Sequence, residues 1–169
     1  YVNSGSWTET TYNENVSDFQ KIKLRQRVAI DMSNRTLETK MINQPVSMPV
    51  AIAPTGLTGM QRADGEILAA QAAEEFGIPY TLSTMSVCSI EAVAKKTTKP
   101  FWFQLYVMKD KKFMERLIDR AKEAKCSALV LTLDLQLLGQ RHKDLRNGLS
   151  TPPKLVPKHV YQVLTRPMW

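Results

Sequence analysis

What most constrains this chain is a beat that starts near residue 48. Apolar runs rich in Val, Ile or Tyr alternate with amphipathic stretches, at intervals of about 20 to 30 residues. The runs are 48–54, 79–83, 101–106 and 128–134. Each is short and nearly continuous, the pattern of a strand buried on both faces. Between them lie helices. Asp64 is placed to cap one that runs to Phe76, with Gly77 as its stop. Ser89 opens a shorter one, with Ile90, Val93 and Ala94 on one side. Asp110 opens a third, in which Phe113, Met114, Leu117, Ile118 and Ala121 recur at helical spacing. That stripe is core packing. Strand then helix, repeated, predicts an α/β fold with a parallel sheet and right-handed crossovers.

The beat suits a TIM (β/α)8 barrel or a doubly wound sheet. A complete barrel has eight units in typically ~250 residues. The 169 residues here hold four, hence half a barrel. Residues 48–140 supply those four βα units. Residues 1–47 read as an N-terminal cap, helical over 13–23, with 36–39 and 42–46 paired as a hairpin that closes the bottom. Residues 141–169 form a basic, Pro-rich loop with a short helix from Lys158 to Thr165.

With 43% apolar and 23% charged residues the chain reads as an ordinary globular domain. No apolar run approaches the ~18 residues of a membrane span. Tyr1 to Thr11 is polar and has no signal-peptide core. Cys88 and Cys126 are far apart and fit no metal or redox spacing, so they read as buried thiols in a reducing compartment. Two histidines leave no His-rich metal site. The net charge of +7 is uneven: residues 141–169 carry six basic side chains against Asp144 alone, which is +5 of the total. A basic segment with Tyr161, Leu164 and Trp169 suits an anionic membrane surface, and suits equally a solvated loop against the rest of the protein. No nucleic-acid motif accompanies the charge.

Chemistry is expected where polar residues interrupt the buried strands. In parallel βα folds the strand C-termini converge on the ligand-binding face. The four runs end in Pro54, Thr55 and Gly56; in Ser83 and Thr84; in Gln104 and Tyr106; and in Thr132 and Asp134. Any one of these is an ordinary satisfied polar group. Four together supply amides and hydroxyls for a flat polar heterocycle. There is no Gly-rich phosphate fingerprint.

These residues, in this order, resemble the family of FMN-dependent 2-hydroxy-acid oxidases and dehydrogenases, most of all its bacterial lactate-oxidising branch. The matching stretches are Tyr1-Val-Asn-Ser-Gly5, Met48-Pro-Val-Ala-Ile-Ala-Pro-Thr-Gly56, Tyr80-Thr-Leu-Ser83, Phe103-Gln-Leu-Tyr106, Leu131-Thr-Leu-Asp134 and Gly139-Gln-Arg141. The resemblance implies a TIM barrel with FMN at the strand C-terminal face. It implies that Pro54, Thr55 and Gly56 offer backbone contacts to the flavin ring, and that Ser83, Gln104 and Thr132 bond its heteroatoms. Tyr1 and Arg141 would hold the substrate carboxylate and Tyr106 the substrate hydroxyl. Asp134 would orient a catalytic histidine. Neither His142 nor His159 sits in the family's histidine motif, so that base belongs to a C-terminal half of the same enzyme.

The implied reaction takes a small L-2-hydroxy acid, with L-lactate foremost, to the 2-oxo acid and passes electrons through FMN to a respiratory acceptor. An oxidase using O2, and an inactive half-barrel or basic binding fragment, are the competing readings. A homo-oligomer is expected of the complete enzyme. The expected location is the cytoplasm, peripheral on the inner face of a bacterial membrane. Two departures from the family stand out. Leu135-Gln136-Leu137 replaces a Thr-Pro-Arg-like turn, and Met85 stands where some oxidases have Trp, on a position that bears on side-chain preference.

Overall fold

The structure is a computed structural model that describes residues 3–137, 139–148 and 157–165. In chain order the elements are α1 (Thr10–Ser17), a 3-10 turn (Asp18–Lys21), β1 (Thr39–Met41), β2 (Gln44–Val46), α2 (Thr58–Gln61), α3 (Gly65–Phe76) and β3 (Thr81–Ser83). They continue with α4 (Ile90–Ala94), β4 (Trp102–Tyr106), α5 (Lys111–Glu123), β5 (Ala128–Thr132), α6 (His142–Arg146) and α7 (Pro157–Leu164). They group into two compact units. One is Asn34–Leu135, the other Tyr1–Ser33 with Gln136–Trp169.

In Asn34–Leu135, β3, β4 and β5 form a parallel sheet in that order. Three of the four apolar runs therefore become strands, in the parallel pairing expected. The run 48–54 does not. Only Ile52 bridges, parallel, to Tyr80, through Ile52 N–H to Pro79 C=O at 2.8 Å and Thr81 N–H to Ile52 C=O at 3.1 Å. Pro49 and Pro54 remove ladder donors at both ends of this run, so pairing does not spread. The fold is a partial α/β sheet, with no closed barrel among the described residues.

Alternation along the strands gives the sheet two different faces. Leu82, Phe103 and Leu105 point to one side and pack with Ala70 and Ala73 of α3, Ile90 and Val93 of α4, and Leu117 and Ala121 of α5. Leu82 and Phe103 are almost fully buried, each worth roughly 1.5–3 kcal/mol against exposure. The register sets Ser83 beside Gln104 and Tyr106 beside Thr132, so these residues line the other face.

Two of the three expected helix caps form. The Ser89 hydroxyl accepts from Ala92 N–H at 3.1 Å, and the Asp110 carboxylate accepts from Phe113 N–H at 3.0 Å. Asp64 stands at the cap of α3 but makes no side-chain cap bond, because its φ of 56° is left-handed rather than extended. Gly77 ends α3 as expected, at φ 71°.

The hairpin forms, but its first strand starts three residues later and its second two residues later than expected. Thr39–Met41 pairs with Gln44–Val46 around Ile42 and Asn43, both at positive φ, as a tight two-residue turn requires. It sits at the N-terminal end of the sheet, where Gln44 Oε1 accepts from Trp102 Nε1 at 3.1 Å.

In the other unit, α1 begins at Thr10 and gives way to the 3-10 turn, earlier on both counts than the expected helix over 13–23. The expected helix from Lys158 appears as α7, with Pro157 at its first position, where a missing N–H costs nothing. Among the described residues, no helix is long and apolar enough to cross a membrane.

Candidate functional site

On the face of the sheet away from the helices, three neighbouring strands contribute one connected polar row. Gln104 lies at its centre and is 1% exposed. Its Oε1 accepts from the Ser83 hydroxyl at 3.2 Å and from Thr84 N–H at 3.2 Å. Its Nε2 donates to the Thr132 hydroxyl at 2.7 Å. Ser83 Oγ in turn accepts from Met85 N–H at 3.1 Å. Thr84 ties the row together from behind: its hydroxyl donates to Gln104 C=O and accepts from Tyr106 N–H at 3.2 Å. A buried amide held by three partners has a fixed orientation, which a mobile side chain would lack.

The first of the expected loops meets the second at this edge. Leu57 N–H donates to Met85 C=O at 2.9 Å. Gly56 packs against Met85, so that a side chain on Gly56 would meet the Met85 Cβ at 3.2 Å. Pro54 and Thr55 are exposed at the edge. The Thr55 and Gly56 amides take no partner among the described residues. Ser83, Gln104 and Thr132 are thus joined directly, while Gly56 reaches them through Met85. Tyr106 is half-buried at the end of β4, in register with Thr132. Asp134 lies two residues past the end of β5 and is exposed.

Sequence reasoning missed the group that braces this edge. Glu66, in the first turn of α3, is 0% exposed. Its Oε1 accepts from Gly59 N–H and from Val87 N–H, both at 3.0 Å. Oε2 takes no well-aligned hydrogen bond among the described residues, the Cys88 thiol standing near the carboxyl. Burial disfavours its charge, yet the Val87 and Gly59 amides, its own N–H and the Cys88 thiol outweigh that and hold the carboxyl below its ordinary value. The N-terminal end of α3 favours the same charge. In sequence Glu66 looks like any first-turn acid of a helix, and nothing local signals its two distant partners.

The unit Tyr1–Ser33 with Gln136–Trp169 holds a second polar cluster. Arg141 Nη2 donates to Ser4 C=O at 2.8 Å and to Ser4 Oγ at 2.7 Å. Its Nε lies 2.9 Å from Asp144 Oδ2, and the Ser4 hydroxyl donates to Asp144 Oδ1 at 2.7 Å. Asp144 is buried; the sequence reading noted it only as the tail's one acid. His142 sets its ring edge-on to Trp7, centroids 5.5 Å apart. Lys143 pairs with Glu9 at 2.8 Å, and that bond, with Gly5 N–H, lowers the Glu9 carboxyl. Tyr1 and the side chain of His159 lie outside the described residues. No metal-holding group of His, Cys, Asp and Glu occurs among the described residues.

The donor set of the polar row fits a flavin. The Gln104 amide keeps its second N–H to give, its oxygen being taken by Ser83 and Thr84; the Thr132 hydroxyl keeps its proton to give; and the Thr55 and Gly56 amides are open at the same edge.

Known proteins agree. The family model of FMN-dependent dehydrogenases matches residues 1–169. L-lactate dehydrogenase of Acinetobacter baumannii is 48% identical over all 169 residues, and that of Acinetobacter baylyi is 47% identical. The chain spans 44% of the length of each. Among solved structures, monotopic membrane protein (S)-mandelate dehydrogenase superposes over the whole chain with a TM-score of 0.93 at 33% identity, the match covering 45% of that chain. Mandelate oxidase superposes over 87% of the chain with a TM-score of 0.82 at 33% identity, covering 43% of its own length. A match along every residue, with a polar row suited to a flavin, leaves one conclusion: the chain belongs to the FMN-dependent dehydrogenase family.

Proposed function

We propose that the chain supplies the first four units and the N-terminal closing segment of a (β/α)8 barrel, and that the complete protein oxidises L-lactate or a close L-2-hydroxy acid to the 2-oxo acid. The observation that carries this is the Ser83–Gln104–Thr132 row on the helix-free face of the sheet. FMN supplies the two-electron acceptor when bound. Gln104 and Thr132 orient the ring through its heteroatoms, Ser83 fixes the Gln104 amide, and the backbone of residues 54–56 flanks it. Arg141 grips the substrate carboxylate, its guanidinium already braced by Ser4 and Asp144. Tyr1 assists there, and Tyr106 contacts the hydroxyl. Asp134 orients a histidine from the C-terminal half and favours the imidazolium formed as the hydroxyl loses its proton. Electrons pass on to a respiratory acceptor.

The basic segment over 141–169, which carries α6 and α7 rather than being loop throughout, serves as a peripheral contact with an anionic membrane surface. Val160, Tyr161 and Leu164 of α7 are exposed, which suits it. The complete protein, a homo-oligomer at the cytoplasmic face in this reading, is the form to test. FMN is titrated against it and against the Gln104→Leu, Thr132→Leu double variant. The variant loses affinity by roughly 1–3 kcal/mol per unpaired group. Unchanged affinity overturns the assignment of the row, and L-lactate that fails to bleach the bound flavin overturns the substrate.

A further inference from the structure

Glu66 is a buried carboxylate with no cation beside it, a costly arrangement unless its hydrogen bonds do something. Its partners show what. Gly59 N–H belongs to the segment that follows residues 54–56, and Val87 N–H to the segment that follows residues 83–85. Those are the two loops placed at the flavin-facing edge. They touch each other through Leu57 N–H to Met85 C=O at 2.9 Å and through Gly56 packed on Met85, contacts at one end that do not set the separation further along, at Gly59 and Val87. One carboxylate oxygen bonded to both sets it. The packing around it has no slack. A Cβ on Gly59 would stand 2.7 Å from the Val87 Cβ and 2.9 Å from Glu66 Oε2. The charge itself needs no cation, because backbone amides and the positive end of α3 stabilise it.

We propose that Glu66 is a positioning residue, which sets the flavin-facing segments 54–59, running into α2, and 83–87, leaving β3, at a fixed separation by accepting one hydrogen bond from each. The inference rests on the flavin reading above. Its consequence is that reach matters and charge does not. Glu66→Gln keeps an oxygen where Gly59 and Val87 need it. Glu66→Asp keeps the charge but withdraws it by about 1.5 Å, one C–C bond.

The test uses the complete flavoprotein with each variant, read by FMN affinity from flavin fluorescence and by hydrogen exchange over peptides that contain Gly59 and Val87. Expected are FMN binding within about twofold of the parent for Glu66→Gln, and at least about fivefold weaker for Glu66→Asp. Faster exchange at both peptides should appear in the Asp variant alone. Equal losses in both variants, or none in either, overturn the proposal. So does a Gln variant that fails to fold, since charge is then required. So does an Asp variant that fails to fold while the Gln variant folds, since Glu66 then holds the whole domain rather than two loops. Should the parent bind no FMN, the flavin reading fails, and hydrogen exchange alone decides whether the clamp exists.

Discussion

Cys126 packs against the core beneath α5, and burial pushes its thiol up to about 11. A thiol held protonated is a poor nucleophile. Both cysteines were expected to be buried; both are only half-buried, at the margin of the core. Cys88 is raised too, first by burial and then by Glu66. The linkage has a definite sign. The folded chain keeps the Cys126 proton beyond the pH, near 9, at which an unfolded chain releases it. The stability it contributes is therefore whole below about pH 9 and is lost as pH rises toward about 11. Urea unfolding between pH 8 and 11 should show a steeper alkaline loss in the parent than in Cys126→Ala. Parallel curves would refute the burial of the thiol. At the same scale, Ser83, Gln104 and Thr132 were readable because a polar residue inside an apolar strand stands out. Glu66 and Asp144 were not. Their roles depend on groups brought close only by folding, such as Val87 at 21 positions from Glu66.

Elements were predictable where the local code is strong and failed where two codes compete. In α5, the apolar stripe, the Asp110 cap and a basic last turn all agree, and the helix forms as read. The run 48–54 is apolar enough for a strand, but its prolines cannot donate, and a single bridge results. The β1–β2 hairpin is a third case. Its turn needs two residues at positive φ, and Ile42 supplies one of them at 47°. A β-branched side chain is poorly suited to that conformation. This is why the composition around residues 36–46 pointed to a hairpin but not to its turn. Ile42 is also exposed, so packing returns little. Ile42→Asn should stabilise the fold by up to about 1 kcal/mol. A thermal midpoint below that of the parent would contradict the turn assignment.

At the scale of the molecule, the repeated beat correctly implied parallel order, because only crossovers of helical length can connect such strands. Closure was beyond its reach, since it depends on residues far from any one unit. The open side of the sheet is visible in β5. Leu129 and Leu131 point to the helix-bearing side and are 47% and 50% exposed, and Leu133 is 68% exposed. On β4 the equivalent positions, Phe103 and Leu105, are buried under helices. The 169-residue chain alone should associate through this edge. Leu129→Lys with Leu131→Lys should shift it toward monomer in size-exclusion chromatography. The same pair should impair folding of the complete protein, where these positions would be interior. A double variant that leaves both behaviours unchanged would show that the leucines have no covering layer.

That leucine edge also sets a schedule. The relatives are more than twice as long as this chain, and a ribosome adds ~5–20 residues per second. In a protein of that length, the first half of the sheet can form while its covering half has yet to be made. For some tens of seconds, β5 would then present apolar side chains and an unpaired strand edge to a crowded cell. During synthesis, such an edge is a natural place for a chaperone to hold. It is also the place where two nascent chains on one messenger would first stick to each other.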